Sequence, residues 1–159
     1  MRLFLIRHAQ AGDRTVGHRD IYRPLSPKGH KRARSISELL GSSGITKVLS
    51  SPATRCVQTV EPLAERLGLT IDEHPDLWEG TPTPHVLALL TDQAEPAVAV
   101  CSHGDIIPDV IEVVASSGAD VTGRGCEKGS VWVVDVESSV WLRARYLDRS
   151  SERLPEEQP

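Results

Sequence analysis

Residues 2–10, Arg2-Leu3-Phe4-Leu5-Ile6-Arg7-His8-Ala9-Gln10, decide how the rest of the chain is read. Leu3 to Ile6 is an unbroken apolar run, without the alternation of a strand that has one wet face. It predicts a strand buried on both sides, the kind found inside parallel sheets. The run stops at Arg7, too short for a signal peptide or a membrane span. The expectation is a cytoplasmic protein with no membrane partner. A second run of this kind is Ala97–Cys101. Shorter β-branched or aliphatic stretches lie at Lys47–Ser50 and Leu69–Ile71. Val131–Val136 and Val140–Tyr146, separated by Glu137-Ser138-Ser139, read as a hairpin.

Four helices are expected between these runs. The first starts at Ser26-Pro27, an N-cap followed by proline, and ends near Gly41. The second, from Ser51-Pro52 to Gly68, places Ala53, Val57, Val60, Ala64 and Leu67 on one face, with Pro62 expected to kink it. The third starts at Thr83-Pro84. The fourth follows His103-Gly104 with the stripe Ile106, Ile107, Val110, Val113 and Val114. Strands alternating with helices predict an α/β fold: three layers, α/β/α, with a mostly parallel central sheet and the C-terminal β-hairpin at its edge. Residues 1–147 form one domain, and 148–159, polar and without periodicity, read as a disordered tail.

The composition is that of an ordinary globular domain, 39% hydrophobic and 25% charged over 159 residues, with net charge −4. The charge is unevenly spread. Residues 1–34 hold nine Lys/Arg against two Asp/Glu, and the remainder nine against twenty. A basic start suits nucleic acid or a small polyanion, and the count alone does not choose. Three cysteines without a C-x-x-C pair fit a reducing compartment.

Ligands of open α/β sheets bind beyond the carboxyl ends of the strands. Those ends here carry Arg7-His8, then Ser50-Ser51-Pro52 leading to Arg55, then Ser102-His103-Gly104-Asp105. Two arginines, two histidines and two nearby helix starts suit a tetrahedral dianion. A neutral imidazole among cations is also a nucleophile toward phosphorus. Read singly, His8 and His103 are equally well structural histidines, and Arg55 a solvated helix residue.

Together, LIRHAQAG (5–12), SSPATRCVQT and VCSHGD, in that order, resemble the histidine phosphatase superfamily, also called phosphoglycerate mutase-like. The match to RHA and the absence of large insertions look most like its compact branch. That branch includes phosphohistidine phosphatases and the phosphatase-like domain fused to Nudix hydrolases in actinobacteria. The resemblance implies that His8 is the nucleophile that becomes phosphorylated. It implies that Arg7, Arg55 and His103, with the Gly104 backbone, hold the phosphoryl oxygens. Neither a metal nor any other cofactor is implied. Glu79, in Asp76-Leu77-Trp78-Glu79-Gly80, lies where larger members carry a general acid; Asp105 is a substitute, and a good leaving group needs neither. Gln10, Arg14, Arg19 and Arg23, on the loop leaving the first strand, are expected to rim the pocket. Lys28, Lys31, Arg32 and Arg34 crowd the first helix, where a merely solvated face is as good a reading. Residues 123–129 read as a flexible glycine-rich turn from which Arg124 or Lys128 could overhang the site.

The expected function is therefore a metal-independent phosphatase. Its substrate is a phosphohistidine protein or a nucleotide or dinucleotide polyphosphate, and the resemblance adds a functional link to a Nudix hydrolase. The alternatives are a phosphate-binding regulatory module without turnover and a small-molecule phosphomonoesterase or mutase. No duplex-reading motif is present, so a nucleic-acid duplex is not an expected partner.

Overall fold

The computed structural model describes residues 1–154; the end of the expected tail, 155–159, lies outside the described residues. The strands are β1 (Arg2–Arg7), β2 (Lys47–Ser50), β3 (Ile71–Glu73), β4 (Ala97–Ser102), β5 (Asp120–Thr122), β6 (Val131–Glu137) and β7 (Val140–Leu147). The helices are α1 (Pro27–Leu40), α2 (Thr54–Leu67), α3 (Thr83–Thr91) and α4 (Ile106–Ser116). All seven strands form one sheet in the order β3-β2-β4-β1-β6-β7-β5. The β3-β2-β4-β1 half is parallel throughout, and β6 and β7 run antiparallel to their neighbours β1 and each other.

The two unbroken apolar runs are the middle of this sheet, and each faces both ways. Phe4 and Ile6 of β1, with Ala99 and Cys101 of β4, pack against Ile36, Leu40, Val60 and Leu63 from α1 and α2. Leu3, Leu5, Val98 and Val100 pack on the other face against Val86, Leu90, Ile107, Val110 and Val114 from α3 and α4. Helices on both faces make the three-layer α/β/α arrangement that the pattern predicts.

Several boundaries differ from the sequence reading, each for a local reason. Ser26 caps α1, its hydroxyl accepting from Gly29 N at 3.1 Å. Ser51 does not cap α2. That helix begins at Thr54 after Ala53, and the Ser51 hydroxyl is turned to a histidine in the site. α2 runs unbroken through Pro62, whose carbonyl accepts from Ser37 Oγ at 2.9 Å. At its end Gly68 (φ +67°) and Leu69 donate back to Glu65 O and Ala64 O, a Schellman closure. Leu69 then packs on the core, so its apolar character belongs to the helix end, and β3 starts at Ile71. The hairpin turns at Ser138 and Ser139, φ +48° and +63°, matching the right-handed twist of β6 and β7. β5, three residues with two of them exposed, pairs in parallel with β7 outside the hairpin. So short and polar a segment carries no strand pattern in the sequence. Within the stretch expected as a tail, Leu154 packs against the α1–α2 core.

Candidate active site

Topology brings the chemistry together. β2, β4 and β1 are adjacent and parallel, so their carboxyl ends open at one edge. The register pairs Arg7 with Ser102, which sets the next residues, His8 and His103, side by side with ring centroids 5.5 Å apart. Both rings are buried, 5% and 1% exposed.

His8 has a defined orientation. Its Nδ1 lies 2.7 Å from Ala9 O, a carbonyl that only accepts, so the proton sits on Nδ1 and the lone pair on Nε2. The His8 pKa falls to about 3. Burial is the largest cause; the Ala9 carbonyl opposes it, and His103, Arg55 and Arg7 add to it. The imidazole is neutral throughout the physiological range.

Arg55 is fully buried in the first turn of α2. Its Nη1 donates to Asp20 O at 3.0 Å and lies 3.2 Å from Asp20 Oδ2, while Nη2 donates to Glu79 Oε1 at 2.8 Å. The Trp78 ring lies 5.7 Å from its guanidinium carbon. Arg7 donates through Nη1 to the Cys126 carbonyl. Its guanidinium lies on Gly104, where an added Cβ would come within 2.6 Å of Cζ. Arg7 Nε and Arg55 Nε are buried and find no acceptor among the described residues. His103 Nε2 meets Ser51 Oγ at 2.8 Å, and its Nδ1 lies 3.2 Å from Glu79 Oε1.

Glu79 therefore places one carboxylate oxygen between Arg55 and His103, on the donors an anion would use. Its side chain is 40% exposed whereas those of its two partners are buried, so Glu79 is the group free to swing out. In this position Oε1 accepts and has no proton to give. Asp105 points elsewhere, accepting from Gly80 N at 2.8 Å.

The sequence reading passed over two contributors, Asp20 and Cys56, and took a third, the 123–129 loop, for a flexible turn. Asp20 holds Arg55, and its own carboxyl stays below its ordinary range: burial works against this, and Arg23, Arg55 and Arg14 prevail. The only sequence signal is an acid set among Arg14, Arg19 and Arg23. The loop 123–129 is pinned rather than flexible. Gly129 N donates to both Arg7 O and His8 O, Glu127 N to Tyr146 Oη, and Trp132 Nε1 to Gly125 O. Cys56, next to Arg55 in sequence, sets its Sγ 3.6 Å from His103 Nε2 and so touches the site histidine.

The expected rim is divided. Arg23 pairs with Asp20 at 2.9 Å and Arg14 with the same carboxylate at 3.7 Å. Arg19 stacks on Tyr22. Gln10 accepts from Ser26 Oγ on the opposite flank. Among the described residues no group of three or more His, Cys, Asp or Glu is arranged to hold a metal ion, and no helix is long and apolar enough to cross a membrane.

The family model of the histidine phosphatase superfamily (branch 1) matches residues 3–81. An 8-oxo-(d)GTP phosphatase of Mycolicibacterium smegmatis is 31% identical over 95% of this chain. The chain spans only 49% of that relative's length. Among solved structures, the protein histidine phosphatase SixA complexed with tungstate superposes with TM-score 0.73 at 23% identity, covering 92% of this chain and 94% of that one. The alpha-ribazole phosphatase of Shigella flexneri gives TM-score 0.70 at 17% identity over 99% and 100%. At these identities the two structures speak for the fold.

Proposed function

This chain belongs to the histidine phosphatase superfamily, and we propose that it hydrolyses phosphoryl compounds without a metal, through a covalent intermediate on His8. The observation that carries the reading is the state of His8. Its imidazole is neutral, fixed by the Ala9 carbonyl with Nε2 unprotonated, and set among Arg7, Arg55 and His103.

A phosphoryl group takes the seat of the Glu79 carboxylate. Arg7 and Arg55 supply paired donors to its oxygens and stabilise the charge that spreads over them in the transition state. His8 Nε2 forms the N–P bond as the bond to the leaving group breaks and its electron pair departs with that group. Water then attacks phosphorus, the N–P bond returns its pair to Nε2, and orthophosphate leaves. Asp20 and Trp78 position Arg55, and Ser51 positions His103.

The leaving group follows from Glu79. Ion-paired to Arg55, it protonates nothing until it moves, which favours leaving groups that depart as stable species. A phosphoanhydride fits, so the substrate is a nucleotide polyphosphate; the 8-oxo-(d)GTP phosphatase relative supports this choice. A phosphohistidine protein is the second reading, supported by the absence of a capping insertion in a chain that SixA matches over 92% of its length. A functional link to a Nudix hydrolase belongs to the same proposal and is compatible with a relative twice as long as this chain.

The test is hydrolysis of p-nitrophenyl phosphate with excess chelator. The wild type turns over and forms an acid-labile phosphoenzyme, and His8→Ala does neither. Turnover retained in His8→Ala removes the covalent mechanism. Tight phosphate binding without turnover in the wild type makes the protein a binding module instead.

A further inference from the structure

Beside the phosphoryl pocket lies a second, separate cleft of about 510 Å³. One wall is the start of α1, with Lys28, Lys31 and Arg32. The others are Lys128, on the loop before β6, and Arg149, just after β7. Gln10 closes the end nearest the site. Five cations and no carboxylate thus line it among the described residues. Two acids lie at its margin: Glu127 meets Arg149 at 3.7 Å on the exposed surface, and Asp148, whose Oδ1 holds Ser150 and Ser151, acts on Arg32 through space, so the balance at the cleft stays positive.

The cleft is built. Arg32 Nε donates to Gly129 O at 2.8 Å and Nη1 to Arg149 O at 3.2 Å, so two carbonyls, and no ion pair among the described residues, fix the guanidinium. Its Nη2 is buried and finds no acceptor among the described residues. Gly129, whose carbonyl holds Arg32, has φ +78°, and a Cβ there would come within 2.6 Å of Arg32 Cγ. The same glycine donates its N–H to Arg7 O and His8 O. At the other wall, a Cβ on Gly29 would fall 2.1 Å from Gln10 O, so α1 is seated directly on the loop leaving β1. The cleft is therefore locked to the end of the nucleophile strand at both walls. Gln10, two residues beyond His8, has its Cα within about 7 Å of that of His8.

We propose that this cleft holds the non-reacting phosphates of a polyphosphate chain whose terminal phosphoryl group sits at His8. The proposal deepens the phosphatase reading and rests on it for the position of the reacting group. A concave site of this volume suits a small polyanion. Like charges crowded around it repel one another until an anion enters; burial, and then the Arg149 charge, lower the Arg32 pKa against the pull of Asp148. A flat acidic protein surface would reach Lys31 and Lys128 at the rim but not the recessed Arg32.

The experiment measures binding by calorimetry, without turnover, for orthophosphate, inorganic tripolyphosphate, a nucleoside triphosphate and a poly-glutamate peptide. The proteins are the wild type and Lys31→Ala/Lys128→Ala, two exposed side chains whose loss leaves the fold intact. In the wild type tripolyphosphate binds at least about tenfold tighter than orthophosphate, and the double variant removes most of that ratio. The nucleoside triphosphate follows tripolyphosphate if the chain alone is recognised, and exceeds it if the base adds contacts; both outcomes support the cleft. An unchanged ratio in the variant overturns the proposal. So does loss of poly-glutamate binding with tripolyphosphate binding retained, which would make the cleft a protein-docking surface. Because no catalysis is needed, a silent enzyme sinks the phosphatase reading and leaves this result legible.

Discussion

Replacing His8 with asparagine turns the depressed pKa into a measurable change of stability. The asparagine amide donates to the Ala9 carbonyl in place of Nδ1 and does not titrate. In the unfolded chain a histidine protonates near pH 6.5, whereas folded His8 resists until about pH 3. Between those values the unfolded state binds the extra proton, so stability rises with pH. The contribution is complete above pH 6.5 and lost as pH falls toward 3. Linkage with these two values gives a loss of about 1 kcal/mol at pH 6.0 and about 3 kcal/mol at pH 4.5. The second figure hardly moves if the folded pKa lies anywhere below about 4, because the unfolded-state proton then dominates. Urea unfolding followed by circular dichroism at pH 7.5, 6.0 and 4.5 reads this directly. The stability difference between wild type and His8→Asn should move by about 3 kcal/mol toward the variant over that range. Other acid-sensitive groups, Asp20 among them, contribute to both proteins and cancel. Parallel pH profiles would mean that folded His8 accepts a proton as easily as an unfolded one, and the neutral-nucleophile argument would fail with them.

Gly104→Ala forces the Arg7 guanidinium off its seat and should weaken orthophosphate binding by about tenfold to a hundredfold, the value of a charge-assisted contact, with circular dichroism unchanged; calorimetry checks it, and undiminished affinity would free Arg7 from the role. Glu79→Gln removes the carboxylate competing for Arg55 and His103, so the KM for p-nitrophenyl phosphate should fall. If Glu79 also serves as acid after swinging out, kcat on an alkyl phosphate drops about a hundredfold, and far more than on a nucleoside diphosphate. A raised KM would instead make Glu79 a substrate contact. Ser138→Asn/Ser139→Gly relieves two left-handed serines in the hairpin turn and should raise stability by about 1 kcal/mol, or Tm by roughly 2–4 °C; calorimetric melting tests it, and no gain would mean that the turn is not strained.

What the sequence revealed and what it concealed separate along physical lines. Leu3–Ile6 and Ala97–Cys101 were legible because a strand buried on both faces has no polar positions to confuse the pattern. Arg7, His8, Arg55 and His103 were legible because each stands at the end of such a strand or in the first turn after one, where topology alone sets direction. Contacts between distant loops were not. Nothing in Asp20 announces that it will hold Arg55 across 35 residues, since a carboxylate in a basic loop reads as surface. The 123–129 loop looked mobile because its glycines were read as freedom. In the fold, Gly123 and Gly125 crowd Tyr146 and Gly129 crowds Arg32, positions where a side chain would collide. Ser51 shows the same limit at a helix start. Its cap signature was real, but an unpaired histidine nitrogen close by was the stronger claimant for its hydroxyl.

The surplus of cations in residues 1–34 is resolved by pairing rather than by count. Arg14 and Arg23 share the carboxylate of Asp20 with Arg55, so that one carboxylate ties the loop cations to the pocket arginine and helps to hold it in place. Among the described residues Lys28, Lys31 and Arg32 have no carboxylate lining their cleft, and the fold adds Lys128 and Arg149 from more than ninety residues away. Arg14 and Arg23 on the loop next to the nucleophile share a carboxylate, whereas Lys28 and Lys31 on the first helix have no ion pair among the described residues. The order of effects follows. Neutralising Arg23 should cost stability and the placement of Arg55. Neutralising Lys31 and Lys128 should cost affinity that grows with the number of phosphates on the ligand, because neither has an ion pair among the described residues to screen its field.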